Sequence, residues 1–257
     1  MILRRPAWLA LTAVAAATVL MGTPVMADYS ALLREGDRLD VQRRTAEALA
    51  VYRQAEKLAP ERAEILHRIA KQLGESIQDV KDSERGRQLA VEALGYARRA
   101  VDAAPENADA QVAVAICLGL MTPYQSNKER IAASRLIKRH AERALAIDPG
   151  HELAHYVLGA WHEGLASLSP VMAGLAGVVY GRLPEASHQQ AVTHFRGALA
   201  INPQRAANWL GLGIALARLG QSADARVAFE RAIALPVRYK DDEATKARAR
   251  QRLEDLR

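Results

Sequence analysis

The sequence predicts an all-α protein built from repeated helical hairpins, and three observations carry that prediction. Five prolines recur along the 257-residue chain, each closing a similar phrase of alanine and aromatic residues: Pro60, Pro105, Pro149, Pro203 and Pro236. Half the residues are apolar but only 5% are aromatic, which favours closely packed helices over sheets. Repetition along a chain is also typical of arrays whose units bury their apolar faces against their neighbours.

The first 27 residues predict a secretory signal. Arg4 and Arg5 form a charged start, residues 7–20 an apolar core, and residues 25–27 a small-residue cleavage site. An uncleaved membrane anchor is the alternative, since residues 7–26 nearly reach the ~20 residues needed to span a bilayer. We therefore expect a periplasmic or secreted protein, or one anchored to the inner membrane and facing the periplasm.

Composition argues against several classes of function. The formal charge of +6 becomes +4 without Arg4 and Arg5, and no basic run is interleaved with aromatic residues, so nucleic acid is not an expected partner. Cys117 is the single cysteine; its apolar neighbours predict an inert buried thiol. The sequence has no glycine-rich phosphate loop, nucleophile elbow or cysteine-pair zinc site, so we expect no cofactor.

The last unit is similar to a tetratricopeptide repeat. Its residues follow the spacing of that pattern: Trp209, Leu212, Gly213, Leu216, Gly220, Ala225, Phe229 and Ala232. Small residues at Gly213 and Ala225 let two helices approach closely, and a proline then ends the second helix. The resemblance implies a right-handed solenoid.

The uneven proline spacing locates the repeats and their insertions. The first three spacings exceed the ~34 residues of a tetratricopeptide repeat, and the last is close to that length. We expect repeats at 29–62, 63–107, 108–151, 152–205 and 206–239, within a single domain over 28–257, and a charged capping helix at 241–257.

Three segments are predicted insertions. Residues 74–87 are expected to lengthen a helix pair or its turn, and residues 122–129 to form a loop. The longest insertion, 167–187, contains an apolar run at 171–180 that is too short to span a bilayer. This run is interpreted as an extra helix that packs on the array; that it fills the groove is one alternative to a groove open for a ligand. The alternatives are a lid over the groove and a segment that dips into a membrane surface.

From residue 115 onward the chain carries several distinctive features: KRHAERAL at 138–145 with Asp148-Pro149, VLGAW at 157–161, and a long insertion before AVTHF at 191–195. Together they resemble the regulator of microtubule dynamics family. The resemblance implies a helical array with interaction roles, which in eukaryotic members include microtubule association, organelle contacts or lipid binding. Because the start is secretory, only the fold and the binding character are carried over, for a bacterial, secreted member.

An H-E-x-x-H motif suggests a competing function. In a zinc-dependent peptidase, His151 and His155 would bind the metal and Glu152 would act as the base. Gly159 and His162 each lie one residue too far along for the extended motif that supplies a third ligand. The repeat register offers a structural alternative, in which Glu152 opens a helix and the histidines face neighbouring helices.

A binding groove is expected on the concave face, which is formed by the first helices of the repeats. The apolar groove positions are Val112, Ile116, Leu120, Tyr156, Leu210 and Ile214, whereas the first two repeats contribute polar residues: Asp37, Asp40, Glu64, His67 and Lys71. An exposed apolar stretch usually marks an interaction site. The sequence thus predicts a non-enzymatic periplasmic adaptor that binds a protein segment or a lipid, with a zinc peptidase and a membrane-tethered scaffold as alternatives. Ile116→Asp and Ile214→Asp are both expected to abolish capture of a partner while the domain stays helical.

Overall fold

The computed structural model describes residues 23–169, 171, 174 and 183–256. Over these residues the chain forms eleven α-helices and two short 3-10 turns, with no strand. The helices are α1 (Thr23–Val41), α2 (Thr45–Leu58), α3 (Ala63–Ser76), α4 (Ser83–Ala103), α5 (Ala108–Met121), α6 (Asn127–Ile147), α7 (Glu152–Ala166), α8 (His188–Ile201), α9 (Ala206–Arg218), α10 (Ser222–Ala234) and α11 (Asp242–Glu254).

The helices associate as hairpins stacked in a row. Each odd-numbered helix from α1 to α9 packs on the helix that follows it, and α11 packs on α9 and α10. The first helices of neighbouring pairs also contact one another: α3 with α5, α5 with α7, α7 with α9 and α9 with α11. These first helices therefore line the inner, concave side, and the second helices lie on the outer side. The predicted all-α array with a C-terminal capping helix is confirmed.

Proline sets the end of every second helix. Helices α2, α4, α6, α8 and α10 each end two residues before one of the five recurring prolines. The proline ring disfavours the helical conformation of the residue before it and removes a backbone donor. Each hairpin is thus closed by the same local chemistry.

Glycines let the two helices of a pair approach closely. A Cβ atom added to Gly36 of α1 would lie 2.3 Å from the ring of Tyr52 in α2. Gly213 of α9 and Phe229 of α10 repeat this arrangement, with a corresponding distance of 2.5 Å. Buried Tyr52 also donates a hydrogen bond of 2.6 Å to Asp37. Its ring therefore fills the space between α1 and α2 while its hydroxyl has a hydrogen-bond partner.

The buried apolar residues form two large clusters, one centred on α1–α5 and one on α8–α11. Smaller clusters join α5 and α6 to α7. Cys117 lies in the first large cluster, where burial raises the pKa of its thiol to about 12. The predicted burial of this thiol is confirmed, and its inertness stays a prediction.

The predicted insertions differ in structure. After residue 74, α3 continues to Ser76 and is followed by a 3-10 turn at Ile77–Asp79. The expected loop at 122–129 was wrong in part: a 3-10 turn covers Thr122–Tyr124 and α6 begins at Asn127, capped by Ser126 and Glu129. The apolar run 171–180 lies outside the described residues except for positions 171 and 174, so its role as filler or lid stays a prediction.

The N-terminal segment is described only from Thr23, where α1 begins. The predicted signal or anchor at 1–27 falls mostly outside the described residues and also stays a prediction. Among the helices that the structure describes, none is long and apolar enough to cross a membrane.

One side chain joins the two ends of the array. Lys240, in the connection between α10 and α11, donates to Asp79 Oδ2 at 2.5 Å and to Thr45 Oγ1 at 3.2 Å. Asp79 follows α3 and Thr45 begins α2, so the connection to the capping helix contacts the first two hairpins.

Candidate functional site

A cleft opens on the inner side of the array between α7, α9 and α11. Its floor is apolar and is formed by Tyr156, Phe195, Leu210 and Ile214. The cleft has a volume of about 210 Å³. That is smaller than the ~300–1,000 Å³ of a typical small-molecule pocket, so its size suits one large side chain.

Aromatic packing shapes the floor. The rings of Tyr156 and Phe195 meet edge to face, with centroids 6.1 Å apart. A Cβ atom on Gly211 of α9 would lie 2.3 Å from the Phe195 ring, and one on Gly159 of α7 would lie 2.9 Å from it. Phe195 is therefore held between α7 and α9, and its position fixes that of Tyr156.

The rim of the cleft carries polar groups with free bonding capacity. Within the described residues, neither the Arg248 guanidinium nor the Tyr156 hydroxyl makes a hydrogen bond or ion pair, although both line the cleft. Asp241 lies 3.5 Å from Arg205, and Glu163 accepts a hydrogen bond from Ser167 at 2.9 Å. Burial raises the pKa of Tyr156, so its hydroxyl stays protonated and can donate to a ligand.

Three of the six apolar positions predicted from sequence do line this cleft: Tyr156, Leu210 and Ile214. The structure places the other three in the packing between hairpins. Val112 is 2% exposed and packs with Ala144 and Ala154.

Ile116 and Leu120 also belong to that packing. Ile116 lies against the cluster containing Val157 and Leu158, and Leu120 Cδ1 is 2.8 Å from where a Cβ on Gly74 would lie. We therefore correct the expectation for Ile116→Asp. It places a charge in the contact between α5 and α7, so it should lower stability rather than remove a binding contact alone.

The polar residues predicted for the first two hairpins have charged or polar partners within those hairpins. Arg68 donates to both oxygens of Asp37, at 2.7 and 3.1 Å, and Lys71 contacts Asp40 at 2.5 Å. Glu64 accepts a hydrogen bond of 2.9 Å from Tyr29. This end of the inner side is polar, as expected, and its charges are internally compensated.

The side chains of the H-E-x-x-H motif do not converge on one site. His151 precedes α7, accepts a hydrogen bond from the Ala154 backbone N–H through Nδ1, and lies 3.2 Å from Asp109 through Nε2. The Glu152 carboxylate accepts from Asn208 at 2.7 Å. In the part of the chain that the structure describes, no three histidine, cysteine or carboxylate side chains are placed to share a metal ion.

His155 instead belongs to a cluster of three imidazoles between α7 and α8. Its Nε2 donates to the Pro149 carbonyl at 3.2 Å, so in the neutral ring Nδ1 accepts from His194 Nδ1, 3.3 Å away. The rings of His162 and His194 are stacked, with centroids 5.5 Å apart and 14° between their planes. Burial, reinforced by the charges of His155 and His162, lowers the pKa of His194 to about 4.

We expect this cluster to make stability depend on pH. Because the pKa of His194 is lower in the folded chain than its ordinary value of ~6.5, the unfolded chain binds the proton more readily. The stabilisation is fully present above about pH 6.5 and is lost as the pH falls toward 4. His194→Gln should therefore show a smaller drop in Tm between pH 7.5 and pH 5 than the wild type, measured by circular dichroism. Equal drops in both proteins would contradict the assignment.

Comparison with known proteins shows where the chain belongs. The pattern of the family described as regulator of microtubule dynamics protein 1-3 matches residues 32–257. The chain belongs to this family. The predicted resemblance, which was drawn from residue 115 onward, is thus confirmed and extends over the first two hairpins.

Curated relatives in this family share moderate identity. Mouse regulator of microtubule dynamics protein 1 is 27% identical over 198 residues, which cover 76% of this chain and 65% of the relative. The Xenopus laevis regulator of microtubule dynamics protein 3 is 26% identical, with 73% of this chain and 41% of the relative covered. The chain spans less than two thirds of the length of each of these relatives.

Solved structures confirm the fold. A thermophilic tetratricopeptide repeat protein of Thermus thermophilus superposes with a TM-score of 0.65 at 15% identity, covering 87% of this chain and 99% of the other. PilF of Pseudomonas aeruginosa superposes with a TM-score of 0.54 at 13% identity, covering 90% and 93% of the two chains.

Sequence reasoning missed the wall of the cleft that comes from α11. Asp241, Thr245 and Arg248 line it, whereas the sequence of this helix indicated only a charged cap. The available signal was positional. The capping helix α11 packs on the last hairpin where the first helix of a further repeat would lie. Its inward side therefore continues the concave surface.

Proposed function

We propose that the chain is a non-enzymatic periplasmic scaffold that binds a segment of a partner protein in the cleft between α7, α9 and α11. The observation that carries the proposal is the apolar floor of Tyr156, Leu210 and Ile214 on the inner side of a tetratricopeptide array. A partner side chain seated there would bury apolar surface at roughly 25 cal/mol per Å².

The rim supports a protein segment as the ligand. The Tyr156 hydroxyl and the Arg248 guanidinium stand beside the apolar floor and could bond to the backbone carbonyls of a segment that lies across it. The volume of about 210 Å³ fits a single anchoring side chain, whereas a long acyl chain would need a deeper channel. A lipid or other hydrophobic ligand is the second candidate, supported by the same apolar floor.

A scaffold role without catalysis is supported by the H-E-x-x-H residues. His151 caps α7, Glu152 bonds to Asn208, and His155 bonds to His194. These bonds give each side chain a structural role, which leaves the sequence motif alone as support for a zinc peptidase.

The proposed location rests on the sequence of residues 1–27, with its charged start, apolar core and small-residue site. If residues 7–26 are retained, the same protein would be a scaffold tethered to the inner membrane. Mass spectrometry of the mature N-terminus distinguishes the two forms, and an N-terminus at Met1 in a protein found in the cytoplasm would refute both.

The binding cleft is tested by photo-crosslinking. A photoreactive amino acid at Arg248 is expected to form an adduct with the partner in the envelope fraction. Ile214→Asp should reduce the adduct by about tenfold, because a carboxylate in the apolar floor must be desolvated when the partner binds. Val227→Asp is the matched control, since Val227 is exposed on α10 and lies outside the cleft.

Because Ile214 also packs against the large C-terminal cluster, adducts are compared at a temperature at which both variants keep the helical circular dichroism of the parent protein. An adduct that survives Ile214→Asp undiminished, or that falls equally in Val227→Asp, would contradict the proposed cleft. An adduct with lipid in place of protein would favour the second candidate.

A further inference from the structure

A second cleft lies on the outer side of the array, between the second helices α4 and α6. Its floor is formed by apolar side chains from α4, α5 and α6: Val101, Val114, Leu118 and Leu136. Its volume is about 210 Å³. Because second helices face outward, it opens away from the cleft between α7, α9 and α11 and shares no residue with it.

Two arginines without partners stand at the rim of the outer cleft. Arg98 comes from α4 and Arg139 from α6, and in the described part of the chain neither makes a hydrogen bond or an ion pair. Neighbouring arginines behave differently: Arg99 pairs with Glu56 at 2.9 Å, and Arg143 pairs with Glu106. The cleft therefore keeps two free cations in a region where other cations are compensated.

A histidine of the same cleft lies near both arginines. His140 lines the cleft and donates through Nδ1 to the Gln111 side-chain oxygen at 2.7 Å. Burial lowers the pKa of His140, and the positive charges of Arg139 and Arg98 lower it further.

We propose that the outer cleft binds an acidic peptide segment of a partner protein. An apolar side chain of the segment enters the floor, and carboxylates on either side of it pair with Arg98 and Arg139. Arginine forms bidentate hydrogen bonds with carboxylates, which fix orientation as well as add energy.

The surroundings of the cleft favour a peptide over a membrane surface. An anionic membrane attracts broad clusters of basic residues. Here Asp102 lines the cleft with the two arginines, and the Arg143–Glu106 ion pair lies one helical turn beyond Arg139, so carboxylates interrupt the positive charge. That pattern complements a short segment with a few carboxylates around an apolar residue.

Fluorescence anisotropy with a labelled peptide tests the proposal. The probe has a Leu-Phe centre flanked by glutamates, and the comparison peptide carries glutamines in their place. The glutamate peptide should bind the wild type about tenfold more tightly, and Arg98→Glu/Arg139→Glu should abolish that preference. Arg231→Glu/Arg250→Glu, at exposed arginines of α10 and α11 outside both clefts, changes the net charge by the same amount; it is the matched control and should bind as the wild type does. Ile214→Asp should also bind as the wild type does, which separates this cleft from the inner one.

Three results would overturn the proposal. The first is equal affinity of the wild type for the two peptides. The second is an equal loss in Arg231→Glu/Arg250→Glu, which would mean that net charge alone drives binding. The third is binding to phosphatidylglycerol vesicles that depends on Arg98 and Arg139 while the glutamate peptide fails to bind, which would assign the cleft to a membrane lipid.

Discussion

Phe195→Ala is expected to lower the free energy of unfolding by about 3–5 kcal/mol, the range for truncating a fully buried phenylalanine. Phe195 is 2% exposed and lies between Gly159 of α7 and Gly211 of α9. Neither glycine has a side chain that could expand into the space, so the cavity cannot be filled without moving a helix. Urea denaturation followed by circular dichroism measures the loss.

The conservative variant provides the control for Phe195. Phe195→Leu keeps most of the apolar volume and should cost roughly 1 kcal/mol. Because Phe195 also supports Tyr156, Phe195→Ala should weaken the Arg248 crosslink under conditions where the protein is still folded. A loss of stability for Phe195→Ala no larger than that for Phe195→Leu would mean that the ring is not wedged between the two glycines.

Gly213→Ala is expected to destabilise the protein by about 1–3 kcal/mol, although alanine is the better helix former. The added methyl group would lie 2.5 Å from the ring of Phe229, so α9 and α10 would have to separate. Thermal and urea denaturation of the variant measure the effect.

Gly95→Ala is the matched control for Gly213→Ala. Gly95 lies in the middle of α4, and a Cβ there would meet no described atom within 4 Å. Alanine at this position should stabilise the protein by about 0.5–1 kcal/mol, because the unfolded chain loses freedom and the helix gains propensity. Stabilisation by both substitutions would show that Gly213 is not required for close approach.

Much of the fold could be predicted from local chemistry. The prolines end the second helices because a pyrrolidine ring acts on its immediate neighbours, and this effect is visible in sequence. Gly213 likewise marks a close approach because its helix partner follows within one hairpin. The start of α6 was missed because the Ser126–Glu129 capping box lies inside a segment that is otherwise polar.

The candidate site could be predicted only in part, because its formation depends on how hairpins pack. Ile116 and Ile214 occupy equivalent positions in their repeats and both are half-buried, yet Ile116 packs against neighbouring α7 and Ile214 lines the cleft. The periodicity of a helix gives the direction of a side chain but not the distance to the next hairpin. Arg98 and Arg139 were missed for a similar reason, since the absence of a partner for a charge is a property of three-dimensional arrangement.

The contacts of Lys240 couple the local unfolding of the first hairpins to that of the C-terminal cap. A row of hairpins joined only to their neighbours frays from both ends, since each terminal unit is held on one side alone. Here Lys240 contacts Asp79 and Thr45 from the far end of the chain. Unfolding of either end removes a hydrogen-bond partner from the other end, so the two ends should open together. Substitution of Lys240 should therefore speed hydrogen exchange in α2, although Lys240 lies 195 positions away from Thr45.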